Sequence, residues 1–190
     1  MAAAGEAVRS SRRRTRPRRW LLLLRRERRR GRRYQPRFQR AHLRVMWLGA
    51  LAAVALLGLL TLWSGQVLIV APLGASSVLL FGYPSSPLAQ PRNLLLGNGL
   101  GAFNGLVLHH LFGQSALVLA AAVASTVLLG QLLRCLHPPA GGLAFLVVFV
   151  GAPWSFLLSP VLFGSLALTL LAWSFSRWVP GAMPYPRHWL

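Results

Sequence analysis

Between residues 45 and 190 the chain has no aspartate and no glutamate; its two acids, Glu6 and Glu27, both come earlier. Lysine is absent throughout, so arginine supplies all 21 side-chain cations. Over residues 45–190 formal charge reduces to Arg92, Arg134, Arg177 and Arg187. A stretch of about 145 residues with so few charges cannot cover a water-facing surface, where roughly a quarter of residues are charged. Lipid is the solvent that suits it. The missing acids also remove the partner that would orient a catalytic histidine, and there is no Gly-x-Ser-x-Gly elbow. An enzyme is therefore not expected. His109 and His110 are adjacent, so on a helix they point about 100° apart. With no Cys/His/carboxylate cluster to complete a ligand set, neither a metal nor a cofactor is expected. The single cysteine, Cys135, excludes an intramolecular disulfide.

What is present divides at about residue 44. Seventeen arginines lie between Arg9 and Arg44. Residues 1–44 read as an arginine-rich tail, disordered or bound to a surface as a helix. Its apolar break, Trp20-Leu21-Leu22-Leu23-Leu24, falls well short of the about 20 residues that span a bilayer. Anionic lipid headgroups are the expected partner of the tail, at about 1 kcal/mol per arginine. Nucleic acid is the weaker reading, because no aromatic interleaving supports it. A cleaved targeting segment stays open.

Residues 45–190 read as an all-α transmembrane bundle. Apolar runs cover 45–63, 67–83, 94–112, 115–136 and 161–178, with a shorter one at 140–152. That makes five to six membrane segments, two of them broken or kinked. If the short run crosses, all four arginines return to the side of the tail, as positive-inside placement favours. Six crossings, the fifth short and irregular, are therefore expected. Pro153 and Pro160 bracket a linker before the last run. Trp47, Trp63, Trp154, Trp173, Trp178 and Trp189 stand at run ends, where interfacial tryptophans belong. The first run can insert as its own signal.

Three features could carry function. Gly97, Gly101 and Gly105 share one helix face, a groove that admits another backbone, either within the chain or in a second copy. Asn98 and Asn104 lie near it, as interhelical glue or as part of a polar pathway. Ala71-Pro72-Leu73-Gly74-Ala75-Ser76-Ser77 combines a mid-run proline, a glycine and two hydroxyls. Such a break is tolerated where it faces protein or a wet cavity, and half-helix N-termini there point at anions. The alternative is a proline kink with serine back-bonding. His137-Pro138-Pro139-Ala140-Gly141-Gly142 is the second break, with a histidine beside a possible helix start. A helix-terminating loop is its plainer reading.

Four pieces in order resemble the HPP family of integral membrane proteins. They are the 71–81 segment, Ser86-Pro87-Leu88-Ala89-Gln90-Pro91-Arg92-Asn93, the His137-Pro138-Pro139 segment, and Tyr185-Pro186-Arg187-His188-Trp189. The resemblance covers about residues 43–190 and leaves the tail out. Gly142 and Leu143 depart from the expected Ala and Thr, and the family is usually described with four transmembrane helices. The resemblance implies a transporter; members in chloroplasts and cyanobacteria are linked to nitrite. It implies a multi-pass protein of a cyanobacterial inner membrane or chloroplast envelope, with its N-terminus cytoplasmic or stromal. A domain without carboxylates suits a small anion. On this reading Gln90, Arg92 and Asn93 form a charged vestibule, Gly74, Ser76, Ser77, Asn98, Asn104, Pro138 and Pro139 line the path, and His137 is the pH-sensitive element. The alternative is a non-transporting membrane scaffold whose polar residues only join helices. Convergence of Ser76, Ser77, Asn98, Asn104 and His137 on one cavity separates the two.

Overall fold

The computed structural model describes residues 19–34 and 39–189, and these are helical with no strand among them. The chain divides into two units, Met1–Phe38 and Gln39–Leu190. In the first, the described residues form one helix, α1 (Arg19–Tyr34). This is the helical of the two expectations for the tail. Residues 1–18 and 35–38, also part of that expectation, lie outside the described residues.

In the second unit, α2 (Arg40–Ser64) stops at Gly65, whose φ of 68° only glycine adopts cheaply. The Gly65 N–H closes the helix on Thr61 O. Residues 67–70 return as an irregular segment with a tight turn, the Val70 N–H bonding to Leu68 O at 3.0 Å, and α3 (Ala71–Gly82) begins with Pro72 in its first turn. The expected mid-span kink is thus a helix start: the break precedes the proline, whose missing N–H costs nothing there. The 12 residues of α3 rise about 18 Å, short of a hydrocarbon core of about 30 Å, so the helix does not span that thickness by itself.

After the loop at residues 83–92, a π-type turn (Asn93–Gly97) runs into α4 (Asn98–Phe112). The Ser115 hydroxyl caps α5 (Ala116–Leu132) by accepting from the Val118 N–H. Next come α6 (Pro138–Val150) and α7 (Phe163–Trp178). At 13 residues α6 is short, as expected, but it is regular; Gly151, with φ 63°, ends it. The region expected as a linker before the last run is instead partly helical. Its break sits at Ser159, with φ −131° and ψ 120° inside the Leu157–Leu162 turn.

Glycines set the packing. A Cβ on Gly101 would collide with the Ala140 carbonyl. One on Gly105 would lie 2.8 Å from Ala144 O, and one on Gly97 2.6 Å from Cys135 O. The partner numbers rise together, so α4 and α6 run parallel with backbones in contact. The glycine face is filled by α6 of the same chain and is not open to a second copy. α3 and α7 are likewise parallel, with Gly164 against Leu73 and Phe175 against Phe81; α2 with the returning segment and α5 with α6 run antiparallel. Gly49 meets Phe81 and Gly58 meets Ile69 between α2 and the returning segment, while Gly141 meets Val123 and Gly130 meets Leu136 between α6 and α5.

Six segments therefore traverse the unit in alternation. The start of α2, the 83–92 loop, the 133–137 turn and the segment after α7 share one end. Arg92 Nη2 donates to Leu133 O across that end at 3.1 Å. Among the described residues two helices, Arg40–Ser64 and Leu157–Trp178, are long and apolar enough to cross a membrane by themselves.

Gly101→Ala is expected to destabilise the detergent-solubilised protein by at least about 1–3 kcal/mol, since its neighbour is backbone and cannot yield. A Cβ on Gly74 meets nothing within 4 Å. Gly74→Ala should be neutral or stabilising by up to about 1 kcal/mol. Thermal denaturation of both variants checks the contrast.

Candidate functional site

His137 precedes two prolines, which bias it out of helical geometry; its φ is −132° and ψ 112°. That extended conformation directs the imidazole into the unit, where it is 1% exposed. Nδ1 lies 2.8 Å from Leu88 O. A carbonyl only accepts, so Nδ1 carries the proton and, in the neutral ring, Nε2 accepts. Nε2 lies 2.8 Å from Ser76 Oγ. Asn98 Nδ2 donates to Ser76 Oγ at 3.4 Å and to Ser165 Oγ at 3.1 Å. Five elements thus contribute to one buried polar chain: the 83–92 loop, the start of α6, α3, α4 and α7.

Ser76 has one proton and two acceptors for it. His137 Nε2 is at 2.8 Å and Pro72 O at 3.1 Å. With a neutral imidazole the hydroxyl donates to Nε2. If the ring gains a second proton, Nε2–H donates to Ser76 Oγ and the hydroxyl turns to Pro72 O. The proton state of His137 is thereby coupled to a hydroxyl that also accepts from Asn98. Asn98 is fully buried, and its Oδ1 has no hydrogen-bond partner among the described residues. An open buried acceptor of this kind costs about 1–3 kcal/mol.

Several amides at the helix starts are committed within the chain. Leu73 and Gly74 N–H both bond to Val70 O at the head of α3. At α6 two of the first residues are prolines, and Ala140 N–H bonds to His137 O. These amides are not available as donors to an anion.

Of the other expected residues, Ser77 Oγ back-bonds to Leu73 O at 3.0 Å and joins nothing else. Asn104 points away from Asn98: its Nδ2 lies 2.9 Å from Ala122 O, 2.8 Å from Ser125 Oγ and 2.9 Å from Thr126 Oγ1. It joins α4 to α5. Gly74 faces open space. Pro138 and Pro139 shape the turn. A cavity of about 30 Å3 lies between His137, Gly97, Thr126 and Gly141, room for a water-sized solute. A groove of about 990 Å3 between α3 and α6 is lined by Pro72, Pro138, Pro139 and apolar side chains, a surface for acyl chains rather than ions.

Gln90 and Asn93 do not line an open vestibule; they are tethers, while half-buried Arg92 tethers Leu133 O and borders an open, mainly apolar groove of about 530 Å3 with Leu95, Leu96 and Leu133. Gln90 is fully buried. Its Nε2 donates to Pro84 O at 3.0 Å and Ser86 O at 2.8 Å, folding the loop on itself. Its Oε1 accepts from the Arg187 N–H at 2.8 Å and the His188 N–H at 3.4 Å. Asn93 Nδ2 donates to Leu136 O at 2.7 Å. Tyr185 Oη donates to Ala89 O at 3.0 Å. Burial pushes the Tyr185 phenol above its ordinary range, so it remains a donor across neutral pH. The C-terminal segment is thus a strap on the loop whose Leu88 carbonyl holds His137. Sequence reading missed Ser165 and the Leu88 carbonyl. Ser165, Thr169 and Ala172 form a small and polar face at i, i+4 and i+7 of the last run, a signal that was available.

The family described as HPP, transmembrane region, matches residues 35–186. One Dictyostelium discoideum relative, described as a transmembrane protein, is 32% identical over 155 residues, covering 75% of this chain and 54% of its own length. A second transmembrane protein of that organism is 32% identical over 138 residues, covering 66% of this chain and 44% of its own. The chain spans about half the length of the curated relatives it matches. No solved structure matches.

Gln90→Ala removes both halves of the latch. Hydrogen exchange at the Arg187 and His188 amides and across residues 84–92 should accelerate, with a loss of at least about 1–3 kcal/mol. Tyr185→Phe, which loses one bond, should cost about 1 kcal/mol.

Proposed function

The chain belongs to the HPP family of transmembrane proteins, and from that premise we propose that it moves a small inorganic anion, nitrite first among the candidates, across a membrane. The six traverses are six crossings in this reading, with Arg92, Arg134, Arg177 and Arg187 at the end where α2 begins. That end is cytoplasmic or stromal by the positive-inside tendency. The observation that supports transport is the buried chain Leu88–His137–Ser76–Asn98–Ser165. Polar groups buried in an apolar bundle are costly, and an ionisable one such as His137 is a mark of a pathway.

The chain is closed in this conformation: Ser76, Asn98, His137 and Ser165 are each at most 1% exposed. Entry from the arginine-bearing end requires the 83–92 loop to lift from His137, and the Gln90 and Tyr185 bonds oppose that movement. A half-turn of the Asn98 amide exchanges its oxygen for two N–H donors. Oδ1 then accepts from the Ser165 hydroxyl, and the amide presents donors to an anion. Nothing anionic in residues 45–190 repels that cargo.

A scaffold without transport is the second reading. Ser77 and Asn104, two of the five residues expected to converge, do not join the others: Ser77 bonds within its own helix and Asn104 ties α4 to α5. If the His137 chain is glue as well, disrupting it changes stability and nothing else.

Purified protein in liposomes is expected to take up nitrite faster than empty vesicles. Asn98→Leu and His137→Ala should each reduce the rate at least about tenfold while the protein remains folded. Uptake equal to that of empty vesicles, for nitrite and for other small anions, sinks the transport reading. Normal uptake by His137→Ala at every pH removes the histidine from the mechanism.

A further inference from the structure

One described element has no part in the polar chain or the strap, and it lies outside the family match: α1 (Arg19–Tyr34). At 100° per residue, Trp20, Leu23, Leu24, Glu27 and Gly31 fall in one arc about 100° wide. Arg25, Arg26, Arg28, Arg29 and Arg30 all fall in the remaining arc, joined by Leu21 and Leu22 in the first turn. Trp20, Leu23 and Leu24 are 52%, 60% and 53% exposed, an apolar stripe. The carboxylate of Glu27 within that stripe is paired with Arg30 Nη1 at 3.3 Å, which reduces its charge there.

Arg30 is paired with Glu27, and for the other four guanidinium groups the chain offers one further acidic side chain, Glu6. Residues 45–190 hold no acidic side chain, and Glu6 and Glu27 are the only ones before them. The partner must be external, anionic along a surface, and able to accept an apolar stripe next to the charge. A bilayer leaflet containing anionic phospholipid has all three properties; a nucleic acid lacks the apolar layer.

We propose that α1 lies in the headgroup layer of an anionic leaflet, with Trp20, Leu23 and Leu24 toward the acyl chains and the arginines on lipid phosphates. Trp20 sits at the depth its ring prefers. Arginines flanking the stripe extend their charged ends outward to the phosphates while their stems stay apolar-side. Each arginine near such a surface strengthens binding about fivefold.

The test uses the full chain in lipid nanodiscs of two kinds, phosphatidylcholine alone and phosphatidylcholine with about 30 mol % phosphatidylglycerol. Amide exchange of residues 19–34 is expected to be at least about tenfold slower in the anionic discs. The protection should be lost in about 1 M salt. It should also be lost in the combined variant R25Q, R26Q, R28Q and R29Q. Exchange in residues 93–150, unchanged between discs and variants, shows that the membrane unit is intact. Equal exchange of α1 in both kinds of disc overturns the proposal. Protection that appears only on adding an oligonucleotide also overturns it and assigns the arginines to nucleic acid.

Discussion

Both nitrogens of His137 are committed inside the protein, Nδ1–H to Leu88 O and Nε2 to Ser76 Oγ, each at 2.8 Å. This pairing joins segments 49 and 61 residues away in sequence. It is what allows a histidine to be buried at all, because an imidazole in an apolar interior with either nitrogen unmet would be strongly disfavoured. The prolines hold the backbone so that the ring points inward. The Leu88 carbonyl fixes the tautomer, and the tautomer decides that Ser76 donates. Through Ser76 the arrangement reaches Asn98 and Ser165. Through Leu88 it reaches the loop, Gln90 and the C-terminal strap.

The pairing depends in turn on backbones being very close. Gly97 leaves no room for a Cβ between α4 and the turn bearing His137, and Gly101 and Gly105 continue that contact along α6. In a bilayer, helix association gains little from the hydrophobic effect, so close packing and internal hydrogen bonds carry the fold. Glycines and small polar groups share the interior of this unit with leucines such as Leu57, Leu73, Leu94, Leu106 and Leu168, which are also fully buried. Large apolar side chains also cover the outside: Trp47, Trp63 and Leu62 are more than half exposed. Such an apolar exterior is expected of a lipid-facing protein and not of a water-soluble one.

The four short segments that resemble the HPP family turn out to have one structural reason. Ser76 comes from the first, Leu88 and Gln90 from the second, His137 from the third, and Tyr185 with the Arg187 amide from the fourth. They form one hydrogen-bonded assembly at the end of the unit that carries the arginines. Other residues of these segments, such as Gly74 and Ser77, have local roles or none in it.

Much of the fold was legible in composition and periodicity. The apolar runs became helical segments, two of them long and apolar enough to cross a membrane by themselves among the described residues, because length and hydropathy bound where a helix can lie. The GxxxGxxxG face foretold a close helix contact because a missing Cβ has one main use there. Pro72, Pro138 and Pro139 marked helix breaks, because proline cannot continue a helix. What they could not show is that each break is a start and not a kink; that depended on where the preceding backbone found its partners. The candidate site was half legible. His137, Ser76 and Asn98 stand out as polar residues in apolar runs. Asn104 stands out equally, yet it lies two-thirds of a turn round α4 and meets α5 instead. Gln90 reads as a vestibule group, and only the fold shows its amide turned inward as a clamp. The sequence by itself determined that this is an all-helical membrane unit with a few costly polar residues and two proline breaks. Only the tertiary structure decided which of those residues meet, because a hydrogen bond across 61 residues of chain depends on how helices stack, and spacing along the sequence does not encode that.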